Sequence, residues 1–140
     1  MKKLLLLTLI FFTGCSLAGT DPATSVLYSG DITGDDVLEI VTIVESDVTV
    51  SEEFSETYPF TFNELYVESE DRTLLTIDSN GVTVENGDSV RAQVSTQAGY
   101  AIQLGEKDFM YVVQIDEFGS PVSEPLTINW DISTAGWKMK

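Results

Sequence analysis

Apolar residues recur at every second position through much of this chain, and this spacing restricts its fold more than any other feature. The alternation is clearest in residues 89–95, 100–104, 109–115 and 126–132, and helical spacing is nearly absent. Successive side chains of a β-strand point to opposite faces, so a period of two predicts strands with one buried face. Trp130 is the largest residue of the last run and is predicted to anchor the core.

Residues that favour turns separate the alternating runs. The pair Asn80-Gly81 predicts a β-hairpin, because both residues tolerate the positive φ of a type I′ turn. Residues 25–140 are therefore predicted to form a single antiparallel β-sandwich of about seven to nine strands, with a small β-barrel as the alternative.

Three segments refine this prediction. Residues 37–45 are apolar on both alternations, which suits a central strand covered on two sides. The aromatic and aliphatic residues of 60–67 indicate a strand with a bulge or a break at Asn63 and Glu64. Residues 51–56 fit either one helical turn capped by Ser51 or a loop.

Residues 81–94, Gly-Val-Thr-Val-Glu-Asn-Gly-Asp-Ser-Val-Arg-Ala-Gln-Val, resemble a segment that recurs in bacterial immunoglobulin-like and fibronectin-like modules. This resemblance implies a small β-sandwich and assigns no ligand. The cysteine–tryptophan–cysteine arrangement of true immunoglobulin domains is missing.

The first fifteen residues have the pattern of a secretory leader. Lys2 and Lys3 give a positive start, residues 4–12 are apolar or nearly so, and small residues precede Cys15, the only cysteine. Nine such residues cannot span a bilayer, which needs about 20 in a helix. The pattern predicts a signal peptide at residues 1–14, with ordinary cleavage and no lipid as an alternative.

The segment Phe12-Thr13-Gly14-Cys15 resembles the lipobox of bacterial lipoproteins. In that family the cysteine receives a diacylglyceryl group and becomes the mature amino terminus. The resemblance implies a lipidated Cys15, a tether at residues 15–24 and a place in the cell envelope, at the outer membrane if the organism is Gram-negative.

The charge balance and the missing histidine exclude several functions. The chain has 23 acidic and 7 basic residues, a formal charge of −16 and no histidine. Such a surface repels nucleic acid and is expected to keep the protein monomeric. Without histidine, the Ser-His-Asp and Cys-His systems and the commonest transition-metal ligand are absent. We expect no enzymatic activity.

Residues 31–41 form the one segment with the spacing of a metal site. The sequence Asp-Ile-Thr-Gly-Asp-Asp followed by a strand resembles the calcium-binding loops of FG-GAP repeats. Calcium prefers hard oxygen ligands, which closely spaced Asp side chains supply. Asp31, Asp35 and Asp36 are therefore the candidate calcium ligands, although a polar turn before a strand fits the same residues.

Two further groups of residues have a functional and a structural interpretation. Acidic side chains at Glu52, Glu53, Glu56, Glu64, Glu68, Glu70 and Asp71 offer carboxylates for a glycosidase pair, but a solvated face fits them better. Aromatic side chains that could form a binding strip, or belong to the core, are Phe54, Tyr58, Phe60, Phe62 and Tyr66.

The sequence thus predicts a lipid-anchored bacterial envelope protein with a non-catalytic structural or binding role. Its expected partners are the membrane, through Cys15, and an envelope protein or a glycan. The alternative is a calcium-dependent adhesion or carbohydrate-binding module that uses the loop at residues 31–36.

Overall fold

The computed structural model describes residues 23–85, 89–90, 97–105 and 109–140, with only the backbone of Ser89 and Val90. The described residues contain ten strands and one short helix: β1 (Thr24–Gly30), β2 (Glu39–Glu45), α1 (Glu52–Thr57), β3 (Phe60–Ser69), β4 (Arg72–Asp78), β5 (Gly81–Val84), β6 (Ser89–Val90), β7 (Gly99–Leu104), β8 (Met110–Ile115), β9 (Leu126–Asp131) and β10 (Gly136–Met139). Every strand pair is antiparallel. The all-β prediction is confirmed.

Strand β3 joins two layers. Phe62–Ser69 pair with β2 on one edge, while on the other edge Phe60–Phe62 pair with β7 and Leu65–Ser69 pair with β4. One layer therefore contains β1 to β6, and the other contains β7 to β10 beside the start of β3. Within the described residues the strand order ends at β10 and β6 without closing, so the alternative of a small barrel is wrong.

A bulge at Asn63 sets the faces of β3. Val44 pairs with Glu64 and Glu45 with Phe62, which leaves Asn63 as an extra residue on β3. An extra residue inverts the alternation, so Phe62 and Leu65 face the same side although they are three positions apart. Both are fully buried. The predicted irregularity at Asn63 is thus a bulge that keeps the strand in the core.

The main core lies between the two layers. It takes residues from both: Val41, Ile43, Phe62, Leu65, Val67, Leu74, Leu75, Ile77, Val82, Tyr100, Ile102, Met110, Val112 and Ile128. The rings of Phe62 and Tyr100 stack with centroids 5.1 Å apart. The Tyr100 hydroxyl also donates a 2.6 Å hydrogen bond to the carbonyl of Asp78 in the other layer. Packing of two sheets over one shared core is the β-sandwich arrangement.

The segment between β2 and β3 covers the outer face of the second layer. Val48, Val50, Phe54 and Tyr58 pack against Ala101, Val113 and Ile115, which point away from the main core. Ser51 caps α1, since its Oγ accepts a 3.1 Å hydrogen bond from the amide of Phe54. The helical interpretation of residues 51–56 is therefore correct. Because this segment covers the outer face, β7 and β8 are buried on both faces.

Two sequence interpretations need correction. The hairpin between β4 and β5 exists, but Asp78 pairs with Gly81 and only Gly81 has a positive φ, of 110°, so the turn is not type I′. Trp130 is only half-buried and contacts the ring of Trp137, which itself packs on the core. Trp137 belongs to β10, a strand that the sequence analysis did not predict.

The predicted strand at residues 89–95 is described only at Ser89–Val90. No helix in the described ranges has the length and apolarity that a membrane span requires.

Candidate functional site

The loop between β1 and β2, residues 31–38, is organised around the carboxylate of Asp31. Asp31 Oδ1 accepts hydrogen bonds from the amides of Gly34 and Asp35 at 2.7 and 3.1 Å, and Oδ2 accepts one from Asp36 at 2.8 Å. Gly34 and Asp36 have φ of 82° and 67°, the left-handed region that Gly and Asp tolerate better than most residues. The loop therefore closes tightly around one side chain.

Glu39, the first residue of β2, holds the other side of the loop. It lies on the core-facing side of the strand with Val41 and Ile43, and its side chain is fully buried. Its Oε2 accepts hydrogen bonds from the amides of Ile32 and Thr33 at 2.8 and 2.9 Å. Its Oε1 is buried and has no hydrogen-bond partner. Buried polar atoms are nearly always paired. Among the described residues this is the one carboxylate oxygen of the five buried polar atoms that have no partner.

The fold brings three carboxylates together at this loop. One oxygen each from Asp31, Asp35 and Glu39 lie within 4.8 Å of one another. Asp36, which the sequence analysis included as a calcium ligand, is not part of this group. Its backbone amide instead donates to Asp31. The close group therefore contains two of the three predicted ligands together with Glu39, and calcium binding itself stays a prediction.

Asp35 is held in its ionised form. The amide of Val37 donates a 2.9 Å hydrogen bond to Asp35 Oδ1, and this bond holds the pKa of the exposed carboxyl below its ordinary value of 3.8. A carboxylate that stays ionised can serve as a ligand for a cation.

The other acidic side chains of interest are spread over separate elements. Glu52, Glu53 and Glu56 are exposed on and beside α1. Glu64 accepts a 2.5 Å hydrogen bond from the Tyr66 hydroxyl, and this bond raises the pKa of Tyr66 to about 12. Glu68, Glu70 and Asp71 lie at or beside the turn between β3 and β4, and all three are exposed. We find no close group of three carboxylates among these described residues.

The proposed aromatic strip is not one surface. Phe62 is fully buried in the main core, whereas Phe54 and Tyr58 stack on each other over the outer face of the second layer. Phe60 is 43% exposed and lines an open hollow with Val26 and Pro59. These side chains therefore serve different parts of the fold.

Comparison with protein-family models, with curated proteins and with solved structures finds no match. The resemblance of residues 81–94 to immunoglobulin-like modules therefore stays a prediction. Cys15 and the leader lie outside the described residues, and so do residues 86–88 and 91–94 of that segment.

Proposed function

We propose that this chain is a lipid-anchored protein of the bacterial cell envelope with a non-catalytic structural or binding role. The proposal rests on the leader pattern that ends at Cys15 and on the place where the folded domain begins. It assigns the membrane, reached through a lipid on Cys15, as one partner, and an envelope protein or glycan as the other.

The leader pattern that ends at Cys15 carries the proposal, and the short distance from Cys15 to the sheet determines where the domain would lie. The carbonyl of Ala23 already accepts a 2.8 Å hydrogen bond from the amide of Glu45, and Thr24 pairs with Val44. Eight residue steps separate Cys15 from Ala23, and an extended chain spans at most about 3.6 Å per step, or about 29 Å. A lipid at Cys15 would hold the sandwich close to the bilayer.

The charge of the chain supports a covalent anchor over adsorption to the membrane. The formal charge of −16 repels anionic lipid headgroups, so the protein surface offers little electrostatic attraction to a membrane. Acyl chains contribute about 0.8 kcal/mol per buried methylene, and two or more of them give stable anchoring. Membrane attachment is therefore expected to depend on the lipid.

Substitution of Cys15 tests the proposal. In cells grown with labelled palmitate, we expect the unaltered chain to carry label and to sediment with membranes, with lipidated Cys15 as its first residue by mass spectrometry. Cys15→Ser should lose the label and leave the membrane fraction, unless its leader remains attached, which the same mass measurement detects. Ser16→Ala changes the neighbouring residue and should keep both label and sedimentation.

An unmodified Cys15 in the unaltered chain would contradict the proposal, and so would label that persists in Cys15→Ser. Either result would remove the lipid anchor while leaving the β-sandwich in place.

The second candidate function is a calcium-dependent adhesion or carbohydrate-binding module. The observation that favours it is the buried carboxylate of Glu39, which contributes one oxygen to the close group with Asp31 and Asp35 and whose Oε1 has no hydrogen-bond partner. Glycan-array binding measured with and without a chelator distinguishes this function from a role that needs no cation.

A further inference from the structure

We propose that the loop at residues 31–38 and the start of β2 bind one Ca²⁺ ion, with carboxylate oxygens of Asp31, Asp35 and Glu39 as its protein ligands. This inference concerns the sandwich alone and does not depend on lipidation of Cys15.

The buried carboxylate of Glu39 is the strongest evidence for a ligand. Its side chain has no exposed surface, and Oε2 is fixed by two backbone amides while Oε1 has no partner. A buried oxygen without a partner is costly, and the cost is larger for a charged group. A cation bound by the Glu39 carboxylate would offset this cost. It would also explain why an acidic residue occupies a core-facing position of β2, in line with the buried Val41 and Ile43.

The spacing of the three oxygens fits a calcium ion. Calcium–oxygen distances are about 2.3–2.6 Å, so two ligand oxygens of one ion lie at most about 5 Å apart. The three carboxylate oxygens are all within 4.8 Å of one another, so small side-chain adjustments would bring them around one ion. Waters and carbonyl oxygens would complete the six to eight ligands that calcium takes.

The chemistry of the three ligands favours calcium over other metals. All three ligands are carboxylates, which suit hard cations, whereas zinc and copper favour nitrogen and sulfur. Magnesium requires near-ideal octahedral geometry at about 2.0–2.1 Å and keeps several waters, so a fixed cluster of this kind favours calcium. The formal charge of −16 further raises the local concentration of divalent cations.

The backbone already holds the ligands in position. Asp31 accepts three amides of the loop, Asp35 accepts one and Glu39 accepts two. An ion would therefore find its ligands oriented and would connect both ends of the loop. Gly34, at the tip, lies against Ile132 of the turn between β9 and β10, so the ion would also steady the contact between the two layers.

Titration of the full-length chain with calcium tests the proposal. The protein, kept in detergent micelles and stripped with a chelator, is titrated with CaCl₂ by calorimetry and melted in 10 mM CaCl₂. NaCl is adjusted to constant ionic strength. We expect a Kd of about 0.1–1 mM, the range of extracellular calcium modules, and a Tm increase of about 4–12 °C. MgCl₂ should give a smaller shift.

Substitutions at residues 35, 36 and 39, in the loop and at the start of β2, locate the ion. Asp35→Asn and Glu39→Gln each remove a ligand charge and should weaken calcium binding at least about tenfold. Asp36→Asn makes the same charge change as Asp35→Asn one residue away, at a φ that Asn tolerates, and should change the Kd by less than about threefold. Asp35 is exposed, so its variant tests the site even if Glu39→Gln fails to fold.

Three results would overturn the proposal. The first is the absence of heat and of a Tm shift in the unaltered chain up to 10 mM CaCl₂. The second is an equal loss of affinity in Asp35→Asn and Asp36→Asn, which would indicate general charge screening. The third is unchanged affinity in Asp35→Asn, which would place the ion elsewhere.

Discussion

At the scale of single residues, Asp131 shows how a surface carboxylate is fixed by its neighbours. Its Oδ2 lies 2.7 Å from Nζ of Lys138, and its Oδ1 accepts hydrogen bonds from the amide and hydroxyl of Ser133 at 2.9 and 2.7 Å. Lys138 makes the largest contribution in holding the pKa of Asp131 well below its ordinary value of 3.8. The pair joins β9 to β10 across the last hairpin.

This pair predicts a pH-dependent effect of Lys138→Met. Because the folded-state pKa of Asp131 is depressed, its stabilising contribution is complete above pH 3.8 and is lost as the pH falls through the lower folded value. We expect the variant to melt below the unaltered chain at pH 7, with a difference that shrinks in acid. Melting curves between pH 2.5 and 7 measure it.

Lys140→Met is the matched control for this prediction. It removes the same charge two residues further on, where the described residues provide no ion-pair partner. An equal loss in both variants would show that Lys138 acts through net charge alone. A loss that does not change with pH would show that Lys138 does not act through the Asp131 carboxylate.

The candidate site was predictable at the residue scale only in part. Asp31 and Asp35 could be found because Asx side chains that precede a strand at short spacing indicate an oxygen-rich loop. Glu39 was missed, although its alternation with Val41 and Ile43 places it on the buried face of β2. The signal for Glu39 is a carboxylate at the same alternating positions as the core residues Val41 and Ile43, and this signal lies outside the loop.

At the scale of elements, the loop after β8 depends on Gly119. Its φ is 80°, and a Cβ built there would lie 2.2 Å from the carbonyl oxygen of Thr49. The loop is otherwise held by Asp116, whose Oδ1 accepts the amides of Phe118 and Ser120 at 2.9 Å each. Close approach of two backbones therefore requires glycine at this position.

We predict that Gly119→Ala lowers the free energy of unfolding by at least about 2 kcal/mol, from the left-handed backbone and from the contact with Thr49. Urea denaturation followed by circular dichroism measures the loss. Gly136→Ala is the control, because the nearest atom to its Cβ is 3.9 Å away, and it should change stability by only about 0.5 kcal/mol. Similar losses in both variants would refute the contact.

Local periodicity explains which elements were predictable. The alternating runs at residues 100–104, 109–115 and 126–132 overlap β7, β8 and β9, although β7 and β8 are buried on both faces. The cover formed by residues 46–58 has no such period, so its packing on the outer face was not predictable. β10 has only four residues, too few for a periodic signal.

At the scale of the whole molecule, Phe62 lies where the two layers meet. It pairs with Tyr100 on one side and with Glu45 on the other, and it is fully buried. The order of the strands, above all the pairing of β3 with β7, was not predictable, because the partners are some 40 residues apart and alternation within a strand does not name its neighbour.

Phe62→Ala is predicted to cost about 3–5 kcal/mol, the range for removal of a buried aromatic ring with the cavity that it leaves. Phe118→Ala makes the same change at a side chain that is 78% exposed and should cost less than about 0.5 kcal/mol. Chemical denaturation of both variants measures the two free energies of unfolding, which are compared with the same m-value for each variant. A small effect at Phe62 would mean that the layers do not share one core.

The position of β3 in both layers limits the changes of strand register that the fold can tolerate. It is hydrogen-bonded to β2, β4 and β7, and the bulge at Asn63 decides which of its side chains enter the core. A slip of one position in this strand would turn apolar groups outward in both layers at once. Neither layer can therefore shift its alignment without disturbing the other.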